Sequence, residues 1–222
     1  MLTRSKKAAI LSAIVVVLAA PAAPMALSFS ADFLWNPDPD NETQVYLHVA
    51  NTAFNQPRSE VEKVFPKIDN PESDFAIFLF MASEGHCSLT RVFTLRSKGM
   101  SWIQVMAKLG IPKERVFVES SRDPGPPYGR PYGHWKNRQS EDLLVRDDDV
   151  AYWVNVRTMS TFFGTSPSTV QDWRDSGRTW KAIAKGEYKN FKKGGKKMDK
   201  AGVGSDAKGG SPGKGKGRDK GN

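Results

Sequence analysis

The stretch VFTLRSKGMSWIQVM at residues 92–106 has a second copy in the chain, VQDWRDSGRTWKAIA at residues 170–184. After an apolar first residue, both copies carry Arg, Gly, a Ser or Thr, and Trp at the same offsets. Glycine ends a helix in the left-handed conformation at least cost, and Ser or Thr after it is a favoured N-cap of the next helix. Each copy therefore predicts two short helices joined by a tight turn.

Apolar residues recur at helical spacing after each turn and the resemblance between the copies extends upstream, which predicts three-helix units near 74–110 and 149–189. Three short helices bury little apolar surface alone, so the two units are expected to share one core. Trp102 and Trp180 should then occupy equivalent buried positions. The apolar residues that follow the two turns are Trp102, Val105, Met106, Leu109, Trp180, Ile183 and Ala184.

Two further segments complete the predicted helical domain, which spans 27–189. Two short helices at 42–66 are a candidate for a degenerate third copy of the unit. The connection at 119–147 contains GPPYGRPYGHW at 125–135, and its aromatic rings favour order over disorder. The predicted fold class is thus mainly α, with two pseudo-repeated three-helix units joined by an ordered Gly/Pro/aromatic loop.

Both ends of the chain differ from this domain. Residues 1–26 combine a basic start, an apolar run and small residues at Ala20-Pro21-Ala22, which predicts a secretory signal peptide. A retained membrane anchor is the alternative, although the apolar run is short for a span. Residues 190–222 are rich in Gly and Lys, and we expect a disordered basic tail. The expected location is periplasmic or secreted in a bacterium, with membrane contact only through the signal segment during export.

The net charge of +9 is placed at the two ends. Residues 1–26 carry +3 and residues 190–222 carry +7, which leaves −1 for residues 27–189. A basic tail attracts anionic polymers without specific geometry, so an anionic envelope polymer or polysaccharide is the expected partner, and a merely solubilising tail is the alternative. A near-neutral domain makes nucleic acid an unexpected partner. The candidate binding lysines are Lys192, Lys193, Lys196 and Lys197.

The connection supplies the remaining candidate binding residues. Its aromatic side chains could stack on an uncharged partner such as a glycan, and a cation and a histidine lie among them. The three histidines of the chain lack metal-ligand spacing, so neither a metal nor another cofactor is expected. A single cysteine, Cys87, allows no internal disulfide, and no residue is selected as catalytic. The candidates in the connection are Tyr128, Arg130, Tyr132, His134 and Trp135.

Two resemblances bear on function. The first turn together with KLGIPKERV at 108–116 resembles the helix-turn-helix of resolvase- and transposase-type DNA-binding domains, over about thirty residues. Residues 74–189 as a whole resemble an uncharacterised group of exported bacterial proteins with twin helix–Gly–Ser–Trp–helix units around a GPPYG…YG…W loop. The second resemblance implies an extracytoplasmic helical protein and transfers no activity.

These features favour a non-enzymatic binding or structural module of the bacterial envelope or extracellular space. One alternative is a hydrolase that uses a carboxylate and His134 beside the connection. Another is a helix-turn-helix DNA-binding protein. The near-neutral charge of 27–189 and the signal-like start argue against the DNA-binding alternative.

Export generates the first test. We expect the mature native protein to begin near Ala23 or Leu27, because small residues precede both positions. N-terminal sequencing of protein purified from its natural host measures this directly. A sequence that begins at Met1 or Leu2 would contradict the prediction.

Overall fold

The computed structural model describes residues 31–137 and 144–201, with side chains up to Lys193. These residues form nine α-helices and no strand, which confirms the predicted mainly α class. Nowhere in them is a helix both long and apolar enough to span a bilayer. Short 3₁₀ helices occur at Ala31–Leu34, Phe65–Lys67 and Lys113–Val116. The α-helices are α1 Glu42–Phe54, α2 Arg58–Val64, α3 Pro71–Glu84, α4 Leu89–Arg96, α5 Trp102–Leu109, α6 Gly129–Lys136, α7 Asp147–Phe163, α8 Pro167–Asp175 and α9 Trp180–Ala201.

Helix α1 lies at the centre of the fold, where it packs against α3, α7 and α9. Val45, Val49 and Ala50 are fully buried on it, at the spacing of one helix face. Tyr46 is buried among them, and its hydroxyl donates to Oδ1 of Asn155 on α7 at 2.7 Å. This bond offsets the cost of burying both polar groups. The sequence places α1 only in a candidate third copy and does not predict its central position.

The first repeated turn is closed by an arginine. Gly99 connects α4 to α5 with φ of 77°, a conformation that favours glycine over every other residue. Arg96 donates from Nη1 to the Met100 carbonyl oxygen at 2.6 Å. Its guanidinium carbon also lies 4.5 Å from the centroid of the Trp102 ring, in a cation–π contact. The spacing of Arg, Gly and Trp therefore follows from one local arrangement.

The second turn, between α8 and α9, contains the same contacts. Gly177 has φ of 84°. Arg174 donates to the carbonyl oxygen of Arg178 at 2.6 Å, and its guanidinium lies 5.4 Å from the Trp180 ring centroid. The two tryptophans differ in burial, since Trp102 is 3% exposed and Trp180 is only partly buried. The expectation of equal burial is therefore not met.

The N-terminus of α5 is capped both locally and from a distant part of the chain. Ser101 Oγ accepts from the amide of Gln104, and the Gln104 side chain accepts from the amide of Ser101. The next two amides, of Trp102 and Ile103, donate to the carboxylate of Asp147 at 2.9 and 3.1 Å. Because Asp147 begins α7, one carboxylate links the starts of two helices that are far apart in sequence. Together these acceptors satisfy amides that have no partner inside the helix.

Two boundaries in the second half differ from the sequence-based expectation. The connection 119–147 contains helix α6, although its composition predicts a loop. Pro131 is compatible with this helix because it lies in the first turn, where an amide hydrogen needs no intrahelical acceptor. Helix α7 begins at Asp147, two residues before the predicted start of the second unit.

Helix α9 runs past Asn190, where the sequence predicts the beginning of a disordered tail. Phe191 accounts for the continuation, because its ring packs 5.6 Å from Phe162 at the end of α7. The signal peptide predicted at 1–26 and the remainder of the predicted tail, 202–222, lie outside the described residues.

The shared cap at Asp147 generates a stability prediction. Asp147→Ala should lower the free energy of unfolding by about 1–2 kcal/mol, because two α5 amides lose their acceptor. Asp148→Ala is the matched control, since Asp148 lies exposed in the same first turn of α7. Urea denaturation of both variants measures the difference. Equal losses would mean that the contact with α5 contributes nothing to stability.

Candidate functional site

Tyr132, the central aromatic residue of the predicted site, is part of the core. It is 0% exposed, and its ring stacks on Trp153 of α7 with centroids 4.6 Å apart. Its hydroxyl accepts from the Ser120 amide at 2.8 Å and donates to the Ser120 carbonyl at 3.0 Å. The residue joins α6 to α7 and to the segment before α6. Its ring therefore has no face open to a ligand.

The other two aromatic residues of the connection also pack inward. Tyr128 stacks on Tyr152 with centroids 4.1 Å apart and an angle of 13° between the rings. Trp135 stacks on Phe117 at 5.4 Å. Both side chains are partly buried. These rings pack the described part of the connection against α7 and against Phe117 in the segment before α6.

Arg130 and His134 face one cavity of about 660 Å³ beside α6. Nδ1 of His134 is buried and has no hydrogen-bond partner among the described residues. The hydrolase alternative requires a carboxylate next to this histidine, whereas the described charged residues that line the cavity with it are Arg130 and Arg146. The nearby Asp149 is 0% exposed and pairs with Arg146. The described lining thus does not supply the required acid.

The predicted lysines lie on α9, at the opposite end of α7 from the aromatic residues of the connection. Lys192 Nζ lies 5.4 Å from the centroid of the Tyr188 ring, and Lys193 is exposed. Tyr188 contacts Phe162 of α7. Phe162 is nine residues after Trp153, so the two residues are about 14 Å apart along that helix. Lys196 and Lys197 are on the same helix, beyond the last described side chain. The structure therefore separates the two halves of the predicted site.

Two adjoining clefts beside these lysines form a surface that we call the α9 groove. The first has a volume of about 440 Å³ and the second about 540 Å³. They meet at Asn36, Tyr188 and Lys192, which line both. The first cleft is otherwise lined by Trp35, His48, Thr52, Ala53, Thr161, Phe162 and Phe191, and the second by Pro37, Pro39, Asp40, Lys189 and Lys193.

The first cleft presents aromatic surface to solvent. Phe191 is 52% exposed and is one of two exposed large apolar side chains among the described residues. Its ring lies 5.6 Å from that of Phe162, which is partly buried, and the partly buried Trp35 lines the same cleft. Thr52 and Thr161 are exposed beside these rings. The cleft therefore combines apolar faces with hydroxyl groups.

His48 also lines the first cleft, in a neutral form. Its Nδ1 lies 2.9 Å from the carbonyl oxygen of Leu34, and a carbonyl can only accept, so Nδ1 carries the hydrogen. Burial lowers the pKa of His48, and the positive charge of Lys192 acts in the same direction, while the bond to Leu34 partly opposes them. A neutral ring with hydrogen on Nδ1 has Nε2 as an acceptor.

The second cleft carries an excess of positive charge. Lys189 donates to Oδ1 of Asp40 at 2.7 Å, and this partner lowers the pKa of Asp40. Lys192 and Lys193, by contrast, form no ion pair with any carboxylate in the described part of the chain. Two cations thus remain available at the rim of the groove.

The lysines of the groove are predicted from the sequence as binding residues, whereas its aromatic residues are not. Phe191 continues an apolar pattern of α9 that includes Ile183, Ala184 and Tyr188, at helical spacing. This helical spacing of apolar residues continues past Asn190, where the sequence becomes rich in Gly and Lys. It was therefore the signal from which Phe191 could have been assigned to α9. Trp35 and His48 come from elsewhere in the chain, and no local pattern relates them to α9.

Within the described residues, no cluster of His, Cys, Asp or Glu is arranged to hold a metal ion. Comparison with protein-family models, curated proteins and solved structures finds no match to this chain.

The neutral state of His48 generates a prediction of pH dependence. Its pKa in the folded protein is below that of the unfolded chain, so the unfolded chain binds more protons as the pH falls below about 6.5. Folding stability should therefore decrease from pH 7.5 to 5.5, and His48→Asn should reduce this decrease while keeping a donor for Leu34. Urea denaturation at several pH values measures the slope, with the exposed His86→Asn as the control for removing a histidine. An unchanged slope in His48→Asn would contradict the assignment.

Proposed function

We propose that this protein is a non-enzymatic binding module of the bacterial envelope or extracellular space, and that it binds an anionic polymer in the α9 groove. The observation that carries the proposal is that Lys192 and Lys193, which form no ion pair with the described carboxylates, line the groove together with the exposed ring of Phe191. Lysine side chains attract anions, and an open aromatic face adds contact area that does not depend on charge. Export is part of the proposal and rests on the signal-like residues 1–26.

The basic residues that follow the groove support the same function. Residues 194–222 contain eight Lys or Arg and three Asp, so they add positive charge to the part of the chain that follows the groove. Such a segment raises the rate of encounter with a polyanion, and the contribution decreases as salt increases. In this proposal the groove supplies position and contact, and the C-terminal residues supply attraction at longer range.

The helical framework is proposed to be a pseudo-repeat that holds the groove. The turn between α4 and α5 and the turn between α8 and α9 contain the same contacts. In each turn an arginine donates to a carbonyl oxygen and lies over a tryptophan ring. These contacts favour a packing role for the residues that resemble a helix-turn-helix. The segment in the position of a reading helix, Lys113–Val116, is a 3₁₀ helix of four residues whose Arg115 pairs with Glu84, which gives little support to DNA reading.

The lysine pair provides the test of this function. Lys192→Ala/Lys193→Ala should weaken binding to a sulfated or carboxylated polysaccharide by about tenfold or more at low salt, because two charge-assisted contacts are lost. Isothermal titration calorimetry with the full-length variant measures the change. Lys108→Ala is the control for removing an exposed lysine elsewhere.

Deletion of residues 202–222 separates the groove from the chain that follows it. We expect the truncated protein to bind more weakly at low salt and to retain its dependence on Lys192 and Lys193. Wild-type affinity in the double variant, together with complete loss after truncation, would assign binding to the C-terminal residues and reject the groove.

A further inference from the structure

The α9 groove contains hydrogen-bond acceptors as well as cations. His48 is neutral, with Nε2 as the acceptor of a ring that lines the first cleft. Asp40, in the second cleft, uses Oδ1 for Lys189 and has a second carboxylate oxygen. Both groups can accept a hydrogen bond from a ligand. A ligand that offers only phosphate oxygens cannot provide one, whereas a ligand rich in hydroxyl groups can.

The charges of the groove are few and mixed in sign. Among the described residues Lys192 and Lys193 form no ion pair, and the carboxylate of Asp40 lines the same cleft. A polyanion with closely spaced phosphates would place negative charge against Asp40, which is unfavourable. A polymer with isolated carboxylates, separated by uncharged groups, can pair with the lysines and avoid that repulsion.

The aromatic faces of the first cleft require an apolar contact from the ligand. Phe191 and Phe162 form adjacent rings with centroids 5.6 Å apart, and Trp35 also lines this cleft. The C–H faces of sugar rings pack on such surfaces, and their hydroxyl groups project sideways toward neighbouring acceptors and hydroxyls. Thr52, Thr161 and Asn36 surround the rings and can exchange hydrogen bonds with a polyhydroxylated ligand.

From this combination we infer that the ligand of the α9 groove is an acidic polysaccharide built of uronic acid residues. Its sugar rings pack on Phe191 and Phe162, its carboxylates pair with Lys192 and Lys193, and its hydroxyl groups donate to His48 and Asp40. The inference rests on the proposed function and narrows it from anionic polymers in general to one chemical class.

Wild-type full-length protein and four polymers test the inference directly. Polygalacturonate supplies uronate rings, and its methyl-esterified form keeps the rings but removes the charge. Polyphosphate and oligo-dT supply closely spaced phosphates with few or no hydroxyl groups. Calorimetric titration at high salt, which screens the attraction of the basic C-terminal residues for any polyanion, should show polygalacturonate bound about tenfold more tightly than each of the other three. Equal or tighter binding of polyphosphate or oligo-dT would overturn the uronate assignment and leave the proposed polyanion-binding function in place.

Variants then assign the contacts. Phe191→Ala should weaken polygalacturonate and its methyl ester by similar factors, about tenfold, whereas Lys192→Ala should weaken only the charged form. Leu144→Ala is the matched control for an exposed apolar residue, since Leu144 is 75% exposed on the α6 side. Unchanged polygalacturonate affinity in Phe191→Ala would overturn the inferred stacking. Absence of binding to every polymer by the wild-type protein would instead reject the proposed function itself.

Discussion

The bond between Tyr46 and Asn155 fixes the central helix of this fold. Both side chains are buried, so any other register of α1 against α7 would leave the Tyr46 hydroxyl and the Asn155 amide oxygen without a partner inside the core. An apolar interface alone tolerates sliding, because hydrophobic attraction has no direction. Once α1 is fixed, α3 and α9 pack on its remaining sides, and the groove formed with α9 takes its shape.

The repeated turns show how far local sequence can predict structure. Arg96, Gly99 and Trp102 lie within seven residues of one another, so their spacing in the sequence is enough to predict the turn that they form. Caps and helix ends follow in the same way, from residues adjacent in the chain. The central position of α1 depends on contacts with residues such as Asn155, more than one hundred positions away, and nothing in the helix itself identifies them.

The candidate site was predictable only in part, for a different reason. Tyr132 and Phe191 are both aromatic, and either could pack or bind a ligand as far as sequence shows. Burial separates the two roles, since Tyr132 has no exposed surface and Phe191 is half exposed. Composition was misleading at the end of the domain, where many lysines and glycines obscure the helical pattern that leads to Phe191. The lysines themselves were recognisable because an excess of charge is visible without structure.

The ion pair between Asp40 and Lys189 joins the segment before α1 to the last helix. Trp35 and Asn36, close to the first described residue, line the groove together with Phe191 and Lys192, close to the last. Both ends of the described chain therefore attach beside the groove, with Ala201 about 15 Å along α9 from Phe191. A fusion partner placed directly at Trp35 or Phe191 would therefore disturb the groove, since both residues line it. Immobilisation through a cysteine introduced on the exposed face of α5, which does not line the groove, would keep the groove open.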